Sequence, residues 1–308
     1  MDNFTYIIRN YRTSDFNDYV KLYIAAARLA PRGHDCSPQA ISDSLNRPKY
    51  SPEKDLFVAE MAGRVAGFIN IIPELATERV ILDCLVHPEH RRKHLATKLL
   101  GQATRRAREL NARVARVNVI QDNTVATRVL PRLGFRIARR FLELRLLLTE
   151  APLPETHHHT HTLRHLQAGE EEQLTQLQNR CFGSAWEYNP NTTEDIVYQL
   201  NFSYHSPEDV ILTCEKDSLI GYCWTEIDPE ATETEKKGRI YMFGVDPDYR
   251  SRGIGKKALL AGLSYLKSKG ARIAELNVDS ENEVAYALYR SVGFKPWTIS
   301  LWYEKTID

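Results

Sequence analysis

Short apolar runs bounded by turn residues predict strands, and apolar residues three or four apart predict helices. The first strand is Tyr6-Ile7-Ile8-Arg9. A helix follows a cap near Ser14-Asp15 and carries Tyr19, Leu22, Tyr23 and Ala26. Residues 31–54 are rich in Pro, Ser, Asn and charge and show no readable period. Leu56–Glu60 and Val65–Ile72 flank a turn at Gly63 and predict a hairpin, and Val80–Val86 is a further strand. The next helix carries Leu95, Leu99, Leu100, Ala103, Ala107 and Leu110 and ends near Asn111. Val114–Val119 is a strand, a short helix starts near Asn123, and Phe141–Leu148 is a last strand. Pro131 is expected to kink that short helix. Residues 149–162, with two prolines and no period, read as a linker.

The same plan then repeats. Leu163-Arg164 opens a strand, and Leu174, Leu177 and Cys181 mark a helix. Val210–Cys214 and Leu219–Ile227 form a hairpin, and Arg239–Val245 is the central strand. Ile254, Ala258, Leu259, Leu263 and Leu266 define a helix that ends at Gly270. Ile273–Val278, a helix from Asn282 and Ile299–Tyr303 follow. Shifted by 159 residues, positions 86–135 lie on 245–294 without a gap, and about fifteen of fifty are identical. Turn residues match as well as apolar ones: Pro88 with Pro247, Arg91 with Arg250, Asn123 with Asn282, Gly134-Phe135 with Gly293-Phe294. The period is far too long for a solenoid. Two copies of one α/β domain result, residues 1–150 and 163–308, joined by a linker at 151–162. Each is expected to hold a mixed sheet with helices on its faces.

Composition narrows the class. The 308 residues carry 41 basic and 40 acidic side chains, so the whole chain is no evident nucleic-acid binder. Residues 86–150 hold 15 Lys/Arg against 5 Asp/Glu. Few aromatics interleave with them, which favours a solvated or phosphate-attracting surface over a nucleic-acid face. No apolar run reaches the ~20 residues of a membrane helix. The five cysteines are scattered without a C-x-x-C, as in a reduced cytoplasmic protein. His157, His158 and His159 are the one metal-like run, but no carboxylate or cysteine cluster supports them, and no metal is expected.

Chemistry concentrates after the central strand, in Phe243-Gly244-Val245-Asp246-Pro247-Asp248-Tyr249-Arg250-Ser251-Arg252-Gly253-Ile254-Gly255-Lys256. A glycine-bearing turn between strand and helix leaves backbone N–H groups free for an anion, as a pyrophosphate cradle does. R-x-x-G-x-G by itself is a weak signal, neither a Walker loop nor a dinucleotide fingerprint. With V-x-P ahead of it and N-x-x-A-x-x-x-Y-x-x-x-G-F at Asn282–Phe294, it resembles the acyl-CoA loop of the GNAT superfamily of N-acyltransferases. The resemblance spans both copies. It implies two adjacent parallel strands, Arg239–Val245 and Ile273–Val278, splayed around the pantetheine arm of acetyl-CoA. It further implies that main-chain groups of Phe243, Gly244 and Val245 pair with pantetheine. Arg250, Ser251, Arg252, Gly253, Ile254, Gly255 and Lys256 would hold the pyrophosphate, and Asn282 and Ala285 would meet the CoA arm. Tyr289 would be the general acid that protonates the departing thiolate. A core aromatic on an amphipathic helix is the alternative reading of Tyr289.

Glu226 is the candidate general base, on the strand beside the central one. A cross-strand ion pair with Arg239 is the equally simple alternative. Tyr241 and Asp246 are weaker candidates. The second copy also resembles the catalytic half of the mycothiol synthase family. It departs from that family at Arg239, Glu226 and Asn277, so a different amine from the mycothiol precursor is expected. In the first copy His94 replaces the loop glycine and Leu130 replaces the tyrosine. That copy is expected to be non-catalytic, with weak CoA binding or a purely structural role. The expected activity is acetyl transfer from acetyl-CoA to a primary amine of a small molecule. The alternatives are a non-catalytic acyl-CoA-binding module and a protein N-acetyltransferase.

Overall fold

The computed structural model describes residues 5–27, 37–151, 162–186, 188–202, 205–216, 218–227 and 236–307. In the first copy it forms β1 (Ile7–Asn10), α1 (Phe16–Ala27), α2 (Pro38–Leu45), α3 (Pro52–Asp55), β2 (Leu56–Met61) and β3 (Arg64–Glu74). There follow β4 (Arg79–Val86), α4 (Leu95–Glu109), β5 (Val114–Ile120), α5 (Thr124–Arg132) and β6 (Arg136–Leu147). The second copy gives β7 (Thr162–His165), α6 (Glu171–Phe182), α7 (Thr193–Leu200), β8 (Val210–Glu215), β9 (Ser218–Ile227) and β10 (Lys237–Val245). It closes with α8 (Ile254–Ser268), β11 (Ile273–Asp279), α9 (Glu283–Val292) and β12 (Lys295–Thr306). The aperiodic stretch before β2 yields two short helices started by local chemistry. Ser37 caps α2 by accepting from the Ala40 N–H at 3.1 Å, and prolines occupy the first turns of α2 and α3. Pro131 falls in the last turn of α5. His157, His158 and His159 lie outside the described residues.

The chain divides into two compact units, residues 1–139 with 300–308, and residues 140–299. In the first unit the strand order is β1-β2-β3-β4-β5-β12, and in the second it is β7-β8-β9-β10-β11-β6. Among the described residues the parallel pair in each is formed by its fourth and fifth strands, β4 with β5 and β10 with β11. In the second unit α8 packs Ile254, Ala258, Leu259, Leu263 and Leu266 against the sheet. Leu144, Leu146 and Leu148 belong to the same core as Leu259, Ala274 and Tyr289.

Those three leucines carry the main correction to the sequence reading. Each copy was expected to close its own sheet, but the last strands are exchanged. Phe141–Leu147 of the first copy pairs with Ile273–Asp279, and Ser300–Thr306 of the second pairs with Val114–Ile120. Charge explains why. Arg145 stands opposite Glu275, with Nε donating to Oε1 at 2.6 Å, and Glu304 stands opposite Arg116 at 3.2 Å. Arg116 and Arg145 correspond, by the 159-residue repeat, to Glu275 and Glu304. Unexchanged pairing in the same register would set Arg116 against Arg145 and Glu275 against Glu304. Like charges directly opposite are destabilising, and Arg116 is only 3% exposed, so little solvent would screen it.

A charge-reversal cycle checks this. Arg145→Glu is expected to destabilise the protein by about 1–3 kcal/mol, and adding Glu275→Arg to restore most of the loss. Urea unfolding of both single variants and the double variant measures it, and additive losses would contradict the pairing rule.

Candidate active site

The site begins where a parallel pair stops pairing. β10 and β11 are in register at Lys237↔Ile273, Gly238↔Ala274 and Arg239↔Glu275. Beyond that both strands continue, to Val245 and Asp279, but they part. β10 stays on β9, with Phe243↔Cys223 and Val245↔Gly221 in register. The main-chain groups of Phe243, Gly244 and Val245 that point away from β9 are therefore not taken by β11. At the fork β10 also bulges: the register shifts between Ile240↔Thr225 and Met242↔Trp224, at Tyr241. A bulge re-aims backbone groups and is common beside active sites. Gly244 is required here, because a Cβ would come within 2.9 Å of Cys181 on α6.

The chain then makes one tight turn, Pro247–Tyr249, and enters α8 through Ser251 (φ 61°) and Gly253 (φ 77°). Its first-turn N–H groups have no helical acceptors. A Cβ on Gly253 would meet no protein atom within 4 Å, so the space before the helix is open. The Arg250 side chain is engaged within the protein. Its guanidinium donates to the Val245 carbonyl at 3.2 Å and to the Cys181 carbonyl at 2.7 Å, tying the loop to α6. Arg180, also on α6, grips both ends of the turn, Asp246 at 2.7 and 2.9 Å and Asp248 at 2.8 Å. The Arg180 guanidinium holds the Asp246 carboxyl below the usual carboxylate range, against the opposing effect of burial. Asp246 is thus a structural anion. Ser251, Arg252 and Lys256 are exposed around the turn.

α9 brings the third component. Asn282 caps it by accepting from the Ala285 N–H at 3.1 Å. Tyr289 is 7% exposed, and its ring meets Phe243 edge-on at 6.2 Å between centroids. Its ring belongs to the core, as the second reading of Tyr289 has it, and its hydroxyl has no hydrogen-bond partner among the described residues. Burial pushes the phenol up, so it keeps its proton. Gly255 draws the parts together. Its Cβ position lies 3.5 Å from Leu288, 3.6 Å from Phe243 and 3.7 Å from Val245. Nearby thiols are unsuited to a covalent step, because burial pushes Cys181 and Cys223 up to about 12.

Glu226 stands directly opposite Arg239, the last paired residue of the fork. Its carboxylate bonds His205, not Arg239: Nε2 and Oε1 are 2.9 Å apart. The other ring nitrogen, Nδ1, is 2.7 Å from the Gln199 carbonyl at the end of α7. A carbonyl only accepts, so Nδ1 carries a proton. A carboxylate also only accepts, so a second proton lies between Nε2 and Oε1. Burial alone would lower His205, but the Glu226 carboxylate and the Gln199 carbonyl outweigh it and leave it raised. Trp224, Tyr241 and Phe202 surround the imidazole at 5.8 to 5.9 Å. His205 was not legible in the sequence, because it sits in an aperiodic loop with no motif.

The first unit keeps the frame and differs in its side chains. β4 and β5 also part, after Ile81↔Arg116. Between β3 and β4 the register runs unshifted from Gly67↔Val86 to Glu74↔Arg79, so there is no bulge. Ile72, opposite Ile81, stands where Glu226 stands opposite Arg239. Leu130 is buried at the tyrosine position. His94 enters α4 at φ 58°, the conformation of Gly253, and so puts a side chain into the corresponding space.

The model of the acetyltransferase (GNAT) family matches residues 20–135 and again 171–294. The chain belongs to the GNAT acetyltransferase family. Among GNAT relatives, mycothiol acetyltransferase of Nocardia farcinica is 29% identical over 291 residues, 93% of each chain. That of Thermobispora bispora is 30% identical over 244 residues, 78% of this chain and 80% of the relative. In fold, a tandem GNAT protein from the clavulanic acid biosynthesis pathway matches with a TM-score of 0.73 at 17% identity, covering 99% of both chains. A GCN5-related N-acetyltransferase from Sphaerobacter thermophilus matches at 0.72 and 22%, covering 98% of this chain and 96% of that one. This GNAT protein is thus an acetyltransferase with two family domains in tandem. No described helix is long and apolar enough to cross a membrane.

The His205–Glu226 contact is checked by histidine NMR. The His205 imidazole should titrate above the ordinary value of about 6.5 and fall in Glu226→Gln, where the carboxylate no longer offsets burial. The same sign governs stability. The pair's contribution is full below about pH 6.5 and fades as pH rises through the raised value. An unchanged midpoint in Glu226→Gln would contradict the contact.

Proposed function

We propose that the C-terminal half of this GNAT protein transfers acetyl from acetyl-CoA directly to the primary amine of a small molecule. One observation carries the reading: the forked, bulged β10, the open Gly253 turn and Tyr289 occur together only in the second unit. Main-chain groups of Phe243 and Val245 would hold the pantetheine arm as an added strand. N–H groups from Arg252 to Gly255 would hold the pyrophosphate at the positive end of α8. Donors at the bulge would polarise the thioester carbonyl. Glu226, oriented by His205, would take the amine proton directly or through water. The amine attacks the carbonyl carbon, the C–S bond breaks, and Tyr289 gives its proton to the departing thiolate. Buried, protonated cysteines support direct transfer over an acyl-enzyme.

The names of the relatives support a small-molecule amine as acceptor. Arg239, Glu226 and Asn277, where the chain departs from the mycothiol synthase pattern, support an amine other than the mycothiol precursor. Thiol release from acetyl-CoA across a panel of small amines and peptides tests this. Turnover with a small amine is expected, reduced about 10²–10⁴-fold in Tyr289→Phe and in Glu226→Gln. Full activity in both variants would remove these residues from the mechanism, and turnover confined to peptides would overturn the acceptor class. Gly253→His, whose Cβ would meet no protein atom within 4 Å but whose positive φ costs about 1–2 kcal/mol, should weaken CoA binding at least about 10-fold by calorimetry, with circular dichroism checking that it folds.

A further inference from the structure

The turn that follows β4 in the first unit has an unusual composition. Where the catalytic copy reads Asp246-Pro247-Asp248-Tyr249, it reads His87-Pro88-Glu89-His90. In the catalytic unit the two carboxylates close on a cation, the Arg180 guanidinium. Among the described residues the first unit has no counterpart of that arginine. Arg9 grips Asp15 there as Arg164 grips Glu170 in the other unit, 155 residues further on. By the same offset Arg180 falls on Ala25, an exposed alanine on α1. An alanine stands at the place of the cation, and the turn that would face it carries two imidazoles and a carboxylate.

Those three side chains converge. One ligand atom from each of His87, Glu89 and His90 lies within 4.8 Å of the other two. Zinc binds nitrogen and oxygen at about 2.0–2.2 Å, so two ligands on one ion stand roughly 3–4 Å apart. Small side-chain rotations close the difference. His87 and Glu89 already approach to 3.9 Å, Nδ1 to Oε2. The Tyr6 hydroxyl engages His90 Nδ1 at 2.9 Å, which leaves Nε2 for a ligand and fixes the ring. Pro88 opens a single rigid turn that holds the two histidines three positions apart.

We propose that His87, Glu89 and His90 form a divalent metal site of the zinc class, in which the ion takes the place that the Arg180 guanidinium takes in the twin turn. Two imidazoles and a carboxylate suit a borderline ion better than calcium or magnesium, which prefer oxygen alone. Three protein ligands leave one position for water. The nearby Lys93, Arg91 and Arg92 oppose a second positive charge, which sets the affinity below that of a closed structural site.

Zinc titration of the full chain tests the site, by calorimetry and by competition with a chromophoric chelator. His157, His158 and His159 are replaced by alanine in the background, so that their run does not compete. One Zn²⁺ per chain is expected, with a dissociation constant on the order of micromolar. His90→Ala and His87→Ala should each weaken it at least about 10-fold, and Tyr6→Phe about 10-fold through the lost support of the ring. Circular dichroism confirms that the variants fold. Absence of stoichiometric binding, or binding that survives both histidine replacements, overturns the proposal.

Discussion

Everything specific to this molecule depends on β10 leaving β11 beyond Arg239. Buried main-chain groups must find partners, so a fork in a sheet opens only where each arm is held from its outer side. β10 is held by β9 to its end and pinned at Val245 by Arg250. β11 is held along its whole length, Ile273 to Asp279, by Phe141–Leu147. That outer strand comes from the other copy. The first copy therefore contributes a strand to the second unit, whether or not its own loop binds anything. The like-charge conflict between Arg116 and Arg145, and between Glu275 and Glu304, penalises the arrangement in which each copy keeps its own strand.

The two units differ at few positions. The fork, the left-handed entry to the helix and the asparagine cap are retained in both. What differs is one bulge, one carboxylate, one phenol and one glycine. Ile72 and Leu130, at the places of Glu226 and Tyr289, have no proton to move. His94 keeps the backbone conformation of Gly253 and fills the space beyond it. A non-glycine residue in that conformation costs about 1–2 kcal/mol. The turn therefore holds its shape through its neighbours, with Arg91 bonded to the Val86 carbonyl as Arg250 is to that of Val245.

Most strands and long helices were legible because apolar periodicity reflects burial directly. Ile254, Ala258, Leu259 and Leu263 are all buried, as their spacing requires. The repeat made the turns legible too. The strand exchange was not, because both exchanged strands begin with the same alternation of apolar residues, Leu142 and Leu144 in one and Leu301 and Tyr303 in the other. Periodicity does not say which partner each takes, whereas the charges opposite each other do once register is known. α2 and α7 were missed for another reason. Both are eight-residue helices defined by caps, Ser37 and Thr192, more than by period. His205 follows α7 at no recognisable spacing from Glu226, and only the folded chain brings them together.

That contact changes what Glu226 is. With Nδ1 committed to the Gln199 carbonyl, the imidazole and the carboxylate share one proton. The carboxylate is thereby fixed in place and kept from pairing with Arg239. An alkylammonium gives up its proton near pH 10, so a weak base removes it only transiently. Attack must then follow before the proton returns, which makes the position of the amine against the thioester count for more than the strength of the base. The aromatic wall of Trp224, Tyr241 and Phe202 around His205 fits that requirement. Rigid rings hold the dyad in one orientation at the base of the fork, where the backbone of β10 turns toward the reacting carbonyl.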